Sequence, residues 1–485
     1  MAANICLEPA LVQAERIRRG EVSAVELLDA HLERYQRFNS ALNAVVFTKL
    51  ERARARAVEA DAARARGESW GPFHGVPMTI KDSFDWSGAP STWGVLEHRN
   101  NVATEDSAAV RAMEGAGAIL WGKTNIPFML ADWQSFNAIY GTTNNPWDLG
   151  RTPGGSSGGS AVALATGMSS LDVGSDIGAS IRNPAHYCGV FGHKPTYGIV
   201  PATGHKLPGD HTRLDIAVCG PLARSARDLR VALKVLAQPE GEDACAWRLQ
   251  LPEPEQRELS DFKVGVLLQS PACAQDDELT ERLQATVDAL VRAGLRAVDN
   301  AVPDFDLSHC QHVYLMLLRA ATGSRVSDEV FAENLRSAAA RPVDDRSYPA
   351  YVDRGVTVSH RDWWQLDNAR GMMRAKWEEY FEDYDLLLCP AAASAAFPHD
   401  QDGDRAYRTI HVNDGWEPTT DQMFWAGYSG VSYLPSTVAP VGLTKSGLPC
   451  GLQIVAPYLH DLRAIEFARL VEQTVGGFQP APDFG

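Results

Sequence analysis

The spacings that hold metals or disulfides are missing from this 485-residue sequence. Its eight cysteines (Cys6, Cys188, Cys219, Cys245, Cys273, Cys310, Cys389 and Cys450) are scattered, with no C-x-x-C pair and no His–Cys cluster. That argues against a zinc site and a disulfide framework, and no metal is expected. Dense basic blocks are absent too: 45 Lys and Arg stand against 61 Asp and Glu, a formal net charge of −16. Nucleic acid and anionic membrane are therefore poor partners, and the acidic surplus reads as a solubility feature. No apolar run reaches about 18 uninterrupted residues, so nothing is expected to span a membrane. The start, MAANICLEPALVQAERIRRG, lacks a basic stretch followed by an apolar core. It reads as an amphipathic helix rather than a signal peptide, which makes the cytoplasm the expected location. Internal repeats and low-complexity tracts are also absent.

What is present is an ordinary globular composition, 45% hydrophobic and 22% charged, long enough for a large α/β fold. Residues 7–39 read as two helices, the second opened by the capping-box pair Ser23 and Glu26. Ala44–Phe47 reads as a strand, and the Ala/Arg/Glu-rich run from Lys49 to Gly67 as a solvated helix. Gly75–Asp82 reads as a short strand ending in a lysine, followed by a helix near 106–115 and a strand near 118–121. Residues 161–167 are helical in composition, and Leu171–Val173 is a buried strand leading into a Gly178–Ser180 turn. Pro184 fits the first turn of a following helix. A polar linker at 238–260 precedes a strand at 264–268 and a helix at 277–294. Residues 307–383 are mostly helical, with a polar interruption at 340–358, and are read as a lid over the active site. Short strands at 386–388, 438–440 and 451–455 and a helix at 461–475 complete the pattern. Strands alternating with helices predict a layered α/β/α sheet.

The stretch from Thr152 to Pro195 carries the chemistry. Two Gly pairs bracket a Ser pair in Gly154-Gly155-Ser156-Ser157-Gly158-Gly159, and Ser175-Asp176-Ile177-Gly178-Ala179-Ser180-Ile181-Arg182 follows. Hydroxyls thus sit at both ends of a glycine-softened unit, where backbone N–H groups can approach a substrate. A phosphate cradle would need the lysine of G-x-x-x-x-G-K-[ST], which is lacking. A Ser hydroxyl is a weak nucleophile without a neighbouring base. No histidine stands at an obvious triad spacing from Ser180; His186 and His193 are nearest and read as structural. A Ser–Lys variant of the triad is the alternative.

This segment resembles the signature region of the amidase signature family, hydrolases with a Ser–cis-Ser–Lys triad. The spacings from Lys81 to Ser156 and on to Ser180 match the family pattern. The resemblance implies one domain over residues 1–485, with a signature core at about 70–234 and a variable, mostly helical substrate-side insertion at about 300–383. Its fold would be a mixed central β-sheet between layers of α-helices. It implies Ser180 as acyl-enzyme nucleophile, Ser156 (after a cis peptide at Gly155) as proton relay, and Lys81 as base. Lys81 must then be neutral, against an ordinary pKa of about 10.4, and its apolar lead-in agrees with such burial. Neighbouring Asp82 need not face it, since side chains alternate along a strand.

The implied oxyanion hole is the backbone N–H groups of Ile177, Gly178, Ala179 and Ser180. Ala179 stands where most relatives have glycine, and its Cβ predicts against a positive φ there. Ser157, Ser175 and Arg182 read as support, the last in a buried ion pair. Leu130, Trp133 and Tyr140 lie where relatives line the acyl pocket. Trp363, Trp364, Trp416 and Trp425, assigned to the lid, hint at an apolar or aromatic substrate. No cofactor is implied. The expected function is hydrolysis of a small amide or carbamate (urethane) by a monomer or homo-oligomer. The alternatives are the amidase subunit of a glutamine-dependent tRNA amidotransferase and an inactive scaffold, although the latter would be expected to lose Lys81, Ser156 or Ser180.

Overall fold

The computed structural model describes residues 4–485. A mixed eight-stranded sheet runs in the order Arg296–Asp299, Lys263–Val266, Leu386–Pro390, Pro449–Val455, Ser436–Leu443, Phe191–Lys194, Val218–Ala223 and Leu171–Asp176. The first three strands pair in parallel and the remaining neighbours antiparallel. Helices cover both faces. Asp461–Val475 lays Leu462, Ile465, Phe467 and Val471 on one side. Gly158–Ala165, buried along its whole length, lies on the other. The α/β/α architecture expected from the sequence is therefore the one observed.

A second sheet of three strands, Val45–Thr48, Ile119–Thr124 and Pro77–Lys81, adjoins the edge of the large one. Polar side chains stitch the two together. Thr79 Oγ1 donates to Asp172 Oδ2 at 2.6 Å, and the Thr79 N–H donates to Ser169 Oγ at 2.9 Å. Pro77–Lys81 thus runs beside Leu171–Asp176, both fully buried, and Lys81 comes to lie against Ser175.

At the N-terminus the expected amphipathic helix is Ala10–Arg19; residues 1–3 of that stretch lie outside those described. Ser23 and Glu26 cap each other's backbone as the sequence indicated, a device contributing about 1 kcal/mol. The Leu50–Ala65 helix departs from the solvated reading. Ala53, Ala57 and Ala60 recur at helical spacing and form a buried stripe, leaving the arginines outside.

The helical segment comprises Leu307–Gly323, Asp328–Ala340, Tyr348–Val356 and His360–Asp383. The polar stretch 340–358, expected as an interruption, contains the third of these helices. Its Tyr348 and Tyr351 are apolar anchors that pack into the cluster beneath the segment. Among the described residues no helix is long and apolar enough to cross a membrane.

Candidate active site

Lys81 ends its strand in a wholly buried position. Its Nζ donates to Ser156 Oγ at 2.6 Å, to Ser157 Oγ at 2.9 Å and to Ser175 Oγ at 3.0 Å. All three contacts are neutral hydroxyls, and no ion-pair partner for Lys81 exists among the described residues. Burial disfavours the ammonium and pushes the Lys81 pKa down to about 7, against a weaker upward pull from Asp176 and Asp172. Asp82, next in sequence, turns away: its Oδ2 accepts the Thr92 N–H, the Thr92 hydroxyl and the Trp93 N–H.

The serine loop that meets Lys81 carries a cis Gly155–Ser156 peptide. Gly155 is dictated by close approach, because a Cβ there would stand 2.2 Å from the Asp132 carbonyl oxygen. This contact joins the serine loop to the 128–133 segment. The Ser157 N–H donates to the Ser180 carbonyl at 3.1 Å, which joins it to the second loop.

That second loop wraps around one carboxylate. Asp176 Oδ1 accepts the Ala179 N–H at 3.0 Å, and Oδ2 accepts the Ile181 N–H at 3.0 Å. Arg182 pairs with Asp176 at 2.9 Å and reaches on to Gln453 Oε1 at 2.8 Å. Although burial pushes the Asp176 carboxyl up, the guanidinium outweighs it and keeps the pKa below the ordinary carboxylate value. Two side chains fix the loop from outside: Trp133 Nε1–H donates to the Gly178 carbonyl at 2.7 Å, and the Tyr314 hydroxyl to the Ile177 carbonyl at 3.1 Å. Ser156, Ser175 and Ser180 open together on a cavity of about 660 Å³, walled by Trp93, Phe128, Leu130, Trp133, Leu207 and Met423 among others.

Comparison with known proteins gives the family. A family model for amidases matches residues 26–464. The chain belongs to the amidase signature family. An indoleacetamide hydrolase of Bradyrhizobium diazoefficiens is 33% identical over 478 residues, spanning 96% of this chain and 86% of that protein. A glutamyl-tRNA(Gln) amidotransferase subunit of a Synechococcus species is 31% identical over 495 residues, 97% and 96% of the two chains. Among solved structures, 6-aminohexanoate cyclic dimer hydrolase complexed with substrate superposes with a TM-score of 0.79 at 26% identity, over 99% of this chain and 100% of that one. A bacterial aryl acylamidase of the family, at 23% identity, shares the fold with a TM-score of 0.82 over 98% and 97% of the chains. This amidase is an amide hydrolase.

Several expectations for the amidase need correction. Ala179 adopts φ +69° despite its Cβ, because the Asp176 carboxylate accepts N–H groups on both sides of it and forces the bend. The same bond occupies the Ala179 N–H, which leaves Ile177, Gly178 and Ser180 as the loop N–H groups without an acceptor among the described residues. Leu130 and Trp133 line the cavity, but Tyr140 does not: it sits against Thr92, outside the wall. None of the four tryptophans assigned to the lid lines the cavity. Trp425 is wholly buried on Gln275, while Trp364 and Trp416 face solvent. The part of the helical segment that does line it is Leu318 to Val330.

Sequence reading missed Asp176, although it sits inside the serine motif six residues before the arginine it binds. It also missed Tyr314 and Met423, which come from distant helices and carry no local signal. His186 and His193 are wholly buried and bonded to Gly451, Thr437 and Asp461, in keeping with a structural role.

Proposed function

We propose that this amidase is a stand-alone serine hydrolase of small amides and carbamates, with the whole chain acting as one catalytic unit. The observation that carries the reading is the 2.6 Å contact between Lys81 Nζ and Ser156 Oγ in a wholly buried pocket. A lysine held neutral by burial has a lone pair, so Lys81 can take the Ser156 proton while Ser156 takes that of Ser180. Ser180 Oγ then bonds to the substrate carbonyl carbon. The N–H groups of Ile177, Gly178 and Ser180 receive the oxyanion. As the C–N bond breaks, the proton returns through Ser156 to the departing nitrogen. Water, deprotonated along the same relay, releases the acid and restores Ser180. Ser157, Ser175 and Arg182 position Lys81 and the nucleophile loop. The reaction as written uses no metal or cofactor.

An aryl or alkyl amide suits the cavity, whose volume is that of a pocket for a compact organic ligand. The indoleacetamide hydrolase relative supports an aromatic amide. Likeness to the amidotransferase subunit over nearly its full length favours a second reading, in which glutamine is the amide and partner subunits are required. Product release from aryl amides, primary amides, carbamates and glutamine by the purified chain, beside Ser180→Ala, separates the two. Turnover of anilides or carbamates by wild type alone is expected. Action on glutamine only would support the second reading, and activity retained by Ser180→Ala would refute the nucleophile.

A further inference from the structure

The chain is acidic overall, yet its active-site cavity is not. Five cations line the wall: Lys206, Arg213, Arg319, Arg325 and Arg405. Among the described lining residues the carboxylates are Asp132 and Asp176 alone, and both are already paired, with Arg408 at 2.6 Å and Arg182 at 2.9 Å. Arg325 is neutralised by Asp210 at 2.5 Å. Lys206 and Arg213 reach backbone carbonyls of His211 and Gly198. Neither of these two has an ion-pair partner among the described residues, and what sets Arg319 and Arg405 apart is that they converge. Each donates at 3.2 Å to the same acceptor, the buried Tyr348 hydroxyl, and neither has an ion-pair partner among the described residues. Arg319 Nε is buried with no acceptor among the described residues. Burial pushes the Tyr348 hydroxyl up, but Arg405 and then Arg319 outweigh it and hold its pKa below the ordinary value.

Two guanidiniums without an ion-pair partner, converging on Tyr348 where the active-site cavity borders its neighbour, favour an anion, which would complete their hydrogen bonding as Tyr348 alone cannot. They stand near the reacting centre. Met423 Sδ is 3.6 Å from an Arg405 nitrogen, and its Cε lies 3.5 Å from the position of a Cβ at Gly178. We propose that the substrate is an amide or carbamate bearing a carboxylate, which Arg319 and Arg405 bind while the scissile carbonyl meets Ser180. The inference rests on the hydrolase reading for the second half of that statement, whereas anion binding itself can be tested without turnover.

Two matched pairs probe the site: succinic monoanilide against butyranilide, and 4-acetamidobenzoate against 4-acetamidotoluene. They place the carboxylate on the acyl and the amine side respectively. Calorimetric binding to Ser180→Ala is expected to favour the carboxylate by about tenfold or more in at least one pair. Adding Arg405→Gln or Arg319→Gln should reduce the ratio to within about twofold, with the lysine variants intermediate. Thermal melting checks that each variant is folded. Should Arg319→Gln unfold, Arg405→Gln decides, since Arg405 is partly exposed on the short 3-10 helix Arg405–Tyr407. No preference in either pair, or a preference untouched by Arg405→Gln, overturns the proposal. Binding preference without anilide turnover by wild type would instead refute the hydrolase reading and leave the anion subsite standing.

Discussion

The Lys81 pocket and the Arg319–Arg405 wall handle positive charge in opposite ways. Lys81 is wholly buried among three hydroxyls, and desolvation brings its pKa down to about 7, so that it can lose its proton. The arginines border the cavity, and a guanidinium stays charged at any accessible pH. The difference teaches a division of labour. On the roles proposed, a cation that must give up its charge is surrounded by hydroxyls and kept from water, while cations that select a ligand keep their charge at the border of the cavity. Exchanging the residue types would spoil both, since an arginine at 81 could not act as a base.

The sharpest way to break the first half of that comparison is at the proposed nucleophile and the proposed base. Ser180→Ala should lower kcat by roughly 10⁴-fold or more with an unchanged melting curve. Lys81→Met should follow, at roughly 10³-fold or more. In wild type kcat/KM should rise with pH and level off above about 7, because only the neutral lysine accepts a proton. A flat profile between pH 6 and 8 would mean that Lys81 is not the base. The same depressed pKa has a stability consequence of known sign. The unfolded chain binds a proton at Lys81 that the native state holds less tightly, so the penalty is full below about pH 7 and fades as the pH approaches the unfolded value of 10.5. Lys81→Met should therefore raise Tm at pH 7, and the gain should shrink at pH 9.

An intermediate effect is expected where the cavity wall meets the nucleophile loop. Trp133→Phe keeps an aromatic ring but removes the Nε1–H donor to the Gly178 carbonyl. Freed of that bond, the loop N–H groups lose their fixed aim, and kcat should fall about tenfold with little change in KM. Tyr140→Phe, outside the wall, should leave both constants within about twofold. A Tyr140 effect larger than that of Trp133 would reverse the assignment of the wall.

The two regions also differ in how far they can be read from the chain. Lys81, the serine pair and Ser180 lie in short ordered motifs that resemble those of a known family, and it was that resemblance, not local pattern, that joined Lys81 to the serines. The strands of the small sheet, too, were legible as short apolar runs. The Arg319–Arg405 wall has no such signal. Arg319 projects from the Leu307–Gly323 helix and Arg405 from the short 3-10 helix Arg405–Tyr407 far along the chain, and they meet only because Tyr348 from a third element packs between them. Tryptophan content misled for the same reason: nothing local distinguishes Trp425, buried on Gln275, from Trp133 at the cavity.

Ala179 offers the smallest and most discriminating test, because its local sequence and its fold disagree. A left-handed alanine costs about 1–2 kcal/mol relative to an unstrained one, which Ala179→Gly would recover. Glycine in turn loses more chain entropy on folding, about 0.4–1 kcal/mol. The net expectation is a gain of about 0.5–1 kcal/mol, measurable by denaturant unfolding. Activity should hardly change, since the Ala179 N–H is bound to Asp176 in either case. If glycine instead changed kcat severalfold, the loop would have to release that N–H during the reaction, and the oxyanion site would comprise four donors rather than three.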